Sequence, residues 1–163
     1  PKRIVDEVRK RGLDVESLII DSIIEGLKLD PQEEVIVHVE LARKFLDEAR
    51  KCIEQNDPVQ ASEKLYKAAE EAIKALAIKH DIREIIDRVD KRGRWKTEDF
   101  FDAVNRLREI YGDDVRKWWN AAWTLHVWGF HEAKATKEYV EASMVDIKCL
   151  VDLLAKWFEE TSR

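Results

Sequence analysis

Residues 56–76 read Asn56-Asp57-Pro58-Val59-Gln60-Ala61-Ser62-Glu63-Lys64-Leu65-Tyr66-Lys67-Ala68-Ala69-Glu70-Glu71-Ala72-Ile73-Lys74-Ala75-Leu76, and this stretch decides the fold class. Asp57-Pro58 is a helix start: Asp caps, and Pro stands at a first position where its missing N–H costs nothing. Ala61, Leu65, Ala68, Ala69, Ala72, Ile73 and Leu76 then recur at three- and four-residue steps, the period of one helix face, to about His80. Upstream, Asp30-Pro31 repeats the start, with Glu33 and Glu34 at the positive end of the helix dipole. Val35, Val39, Ala42, Leu46, Ala49 and Ile53 carry that helix to Asn56. A connection this short forces an antiparallel hairpin, and the small residues on both stripes allow close approach of the backbones.

Working outward, residues 1–28 suggest two short helices. Val5, Val8 and Leu13 bracket a basic segment, Gly12 breaks it, and Asp14 caps a second helix with Val15, Leu18, Ile19, Ile23 and Leu27. That second helix is apolar enough to require packing on the bundle or on another subunit. Beyond His80, Ile82, Ile85, Ile86 and Val89 mark a short helix, followed by a loop at Arg92-Gly93-Arg94 that glycine makes mobile. Thr97 caps a helix faced by Phe100, Phe101, Val104, Leu107 and Ile110, which Gly112 ends; Asp113 caps the next. From Val115 to about Trp128 the apolar residues Trp118, Trp119, Ala122, Trp123, Leu125, Val127 and Trp128 surround the axis, so this helix is expected to be central or to face a second chain. Thr136 caps a last helix with the stripe Val140, Met144, Ile147, Val151, Leu154 and Phe158.

The 163 residues suit one domain, and five glycines with three prolines are too few for a many-stranded sandwich or barrel. The fold class is therefore all-α, an antiparallel bundle of four to five main helices with an N-terminal helical arm. The hairpin is not followed by a repeat, which excludes a solenoid. A formal charge of −5 argues against bulk coating of nucleic acid, leaving local basic patches as the route to phosphate. No apolar run reaches membrane-span length and no signal-type segment opens the chain, so the expected location is cytoplasmic. The chain opens at Pro1, not methionine, consistent with removal of upstream residues. Cys52 and Cys149 lack paired spacing and are expected as buried free thiols. Abundant Glu, Lys and Arg with scarce Gln and Asn is a bias of heat-stable proteins.

The run Leu41-Ala42-Arg43-Lys44-Phe45-Leu46-Asp47-Glu48-Ala49, the stretch 56–76 and Trp119-Asn120-Ala121-Ala122-Trp123-Thr124-Leu125-His126-Val127-Trp128-Gly129-Phe130-His131-Glu132 together resemble the PaREP family, a largely archaeal group with no assigned activity. The resemblance covers roughly residues 30–155. That family is in turn similar to the HEPN helical-bundle superfamily, which includes toxin ribonucleases and nucleotide-linked partners of toxin–antitoxin pairs. The residue pattern sets an arm over 1–29, and the resemblance implies a HEPN-like bundle over 30–163 and a nucleotide- or RNA-binding module in a toxin–antitoxin or defence system. Residues 4–27 also look faintly like the helix pair of ribbon-helix-helix antitoxins, without the DNA-reading strand.

Catalytic HEPN proteins carry Arg four to six residues before His. Here the His is His126, and Arg116 lies ten residues upstream, about 15 Å along a helix, too far to share one phosphate. Asn120 stands where arginine would be expected and cannot match guanidinium charge. A metal-independent ribonuclease using His126 is thus an alternative to the binding module, while the blander reading is a buried, hydrogen-bonded histidine. His126 and His131 are five apart, whereas metal pairs on an α-helix prefer three or four, and Gly129 is expected to end the helix between them. No metal site and no cofactor are expected. His38 and His80 read as surface or capping residues.

Lys91, Arg92, Arg94 and Lys96 around Trp95 are the clearest electrostatic feature, a cluster able to grip a phosphate, although charge runs are commonly just solvated. Lys64 and Lys67 beside Tyr66 raise the same possibility and have Glu63, Glu70 and Glu71 as neighbours. The tryptophan stripe Trp119, Trp123 with His126 is first a packing surface and second a base-stacking platform. Gly-rich phosphate loops and Ser-His-Asp order are missing. The expected partners are a second copy of the chain, a nucleotide or RNA, and an antitoxin-type protein; a purely structural homodimer without a ligand is the competing reading.

Overall fold

The computed structural model describes residues 1–10 and 15–161, with side chains for all of these except residue 9 and residues 156–161. The elements are α1 (Lys2–Lys10), α2 (Val15–Leu27), α3 (Pro31–Glu54), α4 (Pro58–Lys79), α5 (Arg83–Arg92), α6 (Thr97–Tyr111), α7 (Asp114–Thr124), a π-helical segment (Leu125–His131) and α8 (Lys137–Thr161). Among the described residues every regular element is helical, so the chain is all-α. The proposed break at Gly12 and cap at Asp14 lie outside the described residues, as does the side chain of Phe158.

The helix starts follow from local chemistry. Asp30 accepts from the backbone N–H groups of Gln32 and Glu33 at 2.9 and 3.0 Å, and Glu33 reaches back to the Asp30 N–H, a reciprocal cap worth about 1 kcal/mol. Asp57 accepts from Gln60 N–H at 3.0 Å, and Thr136 from Tyr139 N–H at 3.3 Å. Two expected caps differ. Thr97 is the first residue of α6, not its cap; the Asp99 carboxylate instead accepts the Lys96 N–H at 2.7 Å. The Asp113 side chain makes no cap and pairs with Arg108 at 2.8 Å.

Helix α4 is the centre of the bundle and touches α3, α5, α6, α7, the π-helical segment and α8. Ala61, Ala68, Ala69, Ala72, Ala75 and Ala77 are all fully buried, and their missing bulk is what admits neighbours around so much of the axis. Of the two places expected for the Trp-rich helix, the centre of the bundle belongs instead to α4. Trp119 is enclosed, but Trp118, Trp123 and Trp128 are half-buried, so α7 flanks the centre rather than forming it. The stripe of α8 buries Val140, Ile147, Val151 and Leu154 against this core.

The second arm helix packs less than its composition suggests. Ile24 is buried, yet Ile19, Ile23 and Leu27 are 54%, 55% and 63% exposed. Charge holds α2 in place: Glu16 meets Lys67 at 2.9 Å and Lys44 and Lys64 at 3.5 Å, and Asp21 meets Lys74 at 2.8 Å. Lys64 and Lys67 are thereby engaged within the chain.

Candidate functional site

A cleft of about 360 Å³ opens where α2, α4, the α5–α6 connection and the π-helical segment meet. Helix α4 contributes Glu63, Tyr66, Glu70 and Lys74, whose three- and four-residue steps place them in one row. Ser17, Leu18 and Asp21 of α2 form the opposite wall, and Arg94, Trp95, Lys96 and the start of α6 close one side. His126 completes the lining. A smaller cavity of about 240 Å³ continues past Arg94 and Trp95 toward Glu25, Glu34 and His38.

The connection that presents Arg94 and Trp95 is tied down, which corrects its expected mobility. Asp99 is fully buried and accepts from Arg92, from Arg88 Nε at 2.8 Å and from the Lys96 N–H. Arg92 also donates to the Arg94 carbonyl at 3.0 and 3.1 Å. Gly93 supplies the left-handed turn, at φ 76°, that ends α5. Trp95 lies 5.0 Å from Phe100 between ring centres, and Phe100 stacks on Trp119 at 5.3 Å, so an aromatic stack anchors the cleft-side tryptophan.

The expected cluster therefore divides. Arg94, Trp95 and Lys96 line the cleft; Arg92 is committed to Asp99, and Lys91 is exposed outside the lining. Among the described residues Arg94 forms no ion pair, and Lys96 stands 3.7 Å from Glu98. His126 joins this group, whereas Arg116 and Asn120 do not. Arg116 is exposed and faces Asp113 at 3.8 Å, and Asn120 is exposed and outside the cleft lining.

His126 is half-buried, not fully buried. Its ring stacks on Tyr66 at 4.0 Å between centres, Nδ1 is 3.2 Å from the Glu63 carboxylate, and Nε2 is 3.1 Å from His131 Nε2. The last contact exists because the helix does not end at Gly129. From Leu125 the chain widens to a π-helix, seen in the Glu132 N–H donating to the Val127 carbonyl five residues back. That wider turn brings positions five apart onto one side. Gly129 is buried against Ser62, where a Cβ would run into the serine side chain. Among the described residues no group of three or more His, Cys, Asp or Glu is placed to hold a metal ion.

Behind the cleft lies a buried charge network. His38 is buried, not on the surface, with Nδ1 2.5 Å from Glu71; Lys74 donates to Glu71 at 2.9 Å and to Asp21 at 2.8 Å. Burial alone would raise the Glu71 pKa, but the facing charges of Lys74 and His38 outweigh it and hold Glu71 at about 2. Burial opposes the charge on Lys74 and His38 as well, and the Glu71 carboxylate overcomes it, raising both. Glu70 goes the other way: burial, only partly offset by Lys74, pushes it up to about 8. Burial, with Glu70 beside it, also raises the Tyr66 hydroxyl. At neutral pH the cleft thus contains a mostly protonated carboxyl at Glu70. His80, at the end of α4, bonds the Tyr111 hydroxyl at 2.7 Å, and Cys52 and Cys149 are free and half-buried.

The cleft-lining row Glu63, Tyr66, Glu70 and Lys74 is hidden in sequence among ordinary helix-surface charges. Its signal was the tyrosine between two glutamates on a helix whose other faces are alanine.

A profile of the archaeal PaREP1/PaREP8 family matches residues 37–151. The chain belongs to this family. Two solved structures are similar to the PaREP chain. One is the crystal structure of a Sulfolobus solfataricus protein, 41% identical, with a TM-score of 0.66, covering 71% of this chain and 93% of its own. The other is a solution structure from the same structural-genomics target, 40% identical with a TM-score of 0.65, covering 72% and 91%. Among curated proteins none matches this PaREP chain. The described PaREP helices include none long and apolar enough to cross a membrane.

Proposed function

We propose that this protein is a binding module that holds a nucleotide, free or as part of single-stranded RNA, in the cleft between α2, α4 and the α5–α6 connection. One observation carries this reading: the run Arg94, Trp95, Lys96 and the sequence-distant His126 line a single cleft. Arg94 and Lys96 provide cationic donors for phosphate, and Trp95, Tyr66 and His126 provide aromatic surface for a base. The cleft carboxyls do not repel an anion fully. Asp21 faces Lys74, Glu63 faces His126, and Glu70 holds its proton to about 8. Glu63 and Glu70 can instead accept from and donate to a base edge.

Binding without cleavage is favoured because Arg116 and Asn120 stand away from His126, whose Nε2 faces His131 and not a cation. The likeness to HEPN bundles supports a toxin–antitoxin or defence setting. The test is to identify nucleotides and RNA retained by the purified protein by mass spectrometry, then titrate them at low and high salt. The reading predicts binding that weakens with salt and falls about tenfold or more in Arg94→Ala, the loss of one charge-assisted contact. No association at low salt would reject it.

A second reading, an assembly module paired with its own copy, is favoured by the outward apolar row on the arm, where Ile4, Ile19, Ile23 and Leu27 are all more than half exposed. An antitoxin-type protein would use the same face. Light scattering separates these outcomes: a dimer lost on Ile19→Glu with Ile23→Glu supports self-pairing, and a monomer in the unaltered chain removes it.

A further inference from the structure

We propose that His126 and His131 form a two-imidazole site at the edge of the cleft for a borderline transition-metal ion such as Zn²⁺, Cu²⁺ or Ni²⁺, on geometry that stands whether or not the cleft takes a nucleotide. In an α-helix, residues five apart diverge around the axis. Here the π-helical segment brings the two Nε2 atoms to 3.1 Å. Two nitrogens bound to one tetrahedral Zn²⁺ at about 2.0–2.1 Å stand about 3.3–3.4 Å apart, so the ion requires the nitrogens to part slightly and the rings, 4.4 Å between centres, to turn their lone pairs toward a common point. Single π-helical turns of this kind concentrate at functional sites.

The orientation of His126 is fixed from behind. Glu63 faces its Nδ1, so the Nδ1–H donates to that carboxylate and the Nε2 lone pair is left free on the other side. Stacking on Tyr66 holds the plane of the ring. Without metal, one Nε2 donates to the other; with metal, the His131 proton resides on its Nδ1, so both Nε2 lone pairs meet the ion. His131 is exposed, which gives the ion a path from solvent. Two imidazoles suit Zn²⁺, Cu²⁺ and Ni²⁺, whereas Mg²⁺ and Ca²⁺ need oxygen ligands. Water completes the shell, since no third protein ligand is placed among the described residues.

The test titrates ZnCl₂ into the full chain by calorimetry near neutral pH, with MgCl₂ as control. The proposal expects one Zn²⁺ per chain, no Mg²⁺ response, and loss of binding in both His126→Ala and His131→Ala. Glu63→Gln acts as a positioning variant and should weaken Zn²⁺ about 10- to 100-fold while leaving one ion per chain. Because Ala at 126 could disturb the stack on Tyr66, the unaltered protein is also followed by ¹⁵N histidine resonances: Nε2 of both rings should shift together with Zn²⁺. Zn²⁺ binding that survives either alanine variant, as thiol binding at Cys52 or Cys149 would, overturns the proposal. So does a shift confined to one ring, or no binding.

Discussion

The α3–α4 hairpin and the contact between α2 and α4 share one helix and are held by different forces. In the hairpin, Ala42, Ala49, Ala61, Ala68, Ala69 and Ala72 are fully buried, and the two helices close on apolar surface. Across α2, the same helix α4 offers Lys64, Lys67 and Lys74 to Glu16 and Asp21, while the apolar Ile19, Ile23 and Leu27 of α2 face outward. Apolar closure is insensitive to salt and survives the loss of single contacts; charge closure depends on burial of each pair. The cleft sits on the charged side, so its wall is the part of the molecule that solution conditions can move.

The largest effect is expected where that charge is deepest. Lys74→Met leaves Asp21 without its cation and Glu71 with His38 alone, and should cost about 3–5 kcal/mol in urea unfolding, the cost of breaking a buried pair. A loss below about 1 kcal/mol would show that the network is not buried in solution.

Glu70→Gln should have a smaller effect that depends on pH. The folded carboxyl holds its proton to about 8, against an ordinary value of 4.5. The unfolded chain therefore releases this proton first, and stability falls as pH rises between those values. Gln removes the penalty, so the variant should be more stable at pH 8 or above, with the difference vanishing toward pH 4.5. Glu71 has the opposite sign: its contribution is present above 4.5 and is lost as pH falls toward 2. Thermal melts of both proteins across pH check the pattern, and a pH-independent difference would contradict it.

The smallest effect is at the surface. Glu16→Gln removes partners of Lys44, Lys64 and Lys67 that are partly exposed and should cost less than about 1 kcal/mol of global stability. Amide exchange in α2 should nevertheless quicken, as it should for the unaltered chain at high salt. Protection in α2 that ignores both changes would mean that Ile24 and its neighbours, not charge, hold the arm.

This division explains what the sequence disclosed. Period and capping chemistry are local, so the hairpin, the start signals at Asp30-Pro31 and Asp57-Pro58, and the helical class could be read directly. The centre of the bundle could not: tryptophan counts suggested α7, whereas small side chains, by yielding space, make α4 the helix that others surround. The cleft was half legible. Arg94, Trp95 and Lys96 stood out as a charged aromatic run, and His126 as a lone histidine among tryptophans, but their meeting depends on Asp99 folding the connection back. Five-residue spacing parts His126 from His131 on an α-helix; the two rings meet because Gly129 lets the chain pack on Ser62 within a π-helical turn.

The most direct test of the cleft as a nucleotide site is chemical-shift mapping of the ¹⁵N-labelled protein during titration with nucleoside monophosphates at low salt. The account predicts that the Arg94 Nε, Trp95 Nε1 and His126 ring resonances move together and saturate together, with the alanine faces of the α3–α4 hairpin unmoved. Saturable shifts located elsewhere, or none for any base, would contradict it.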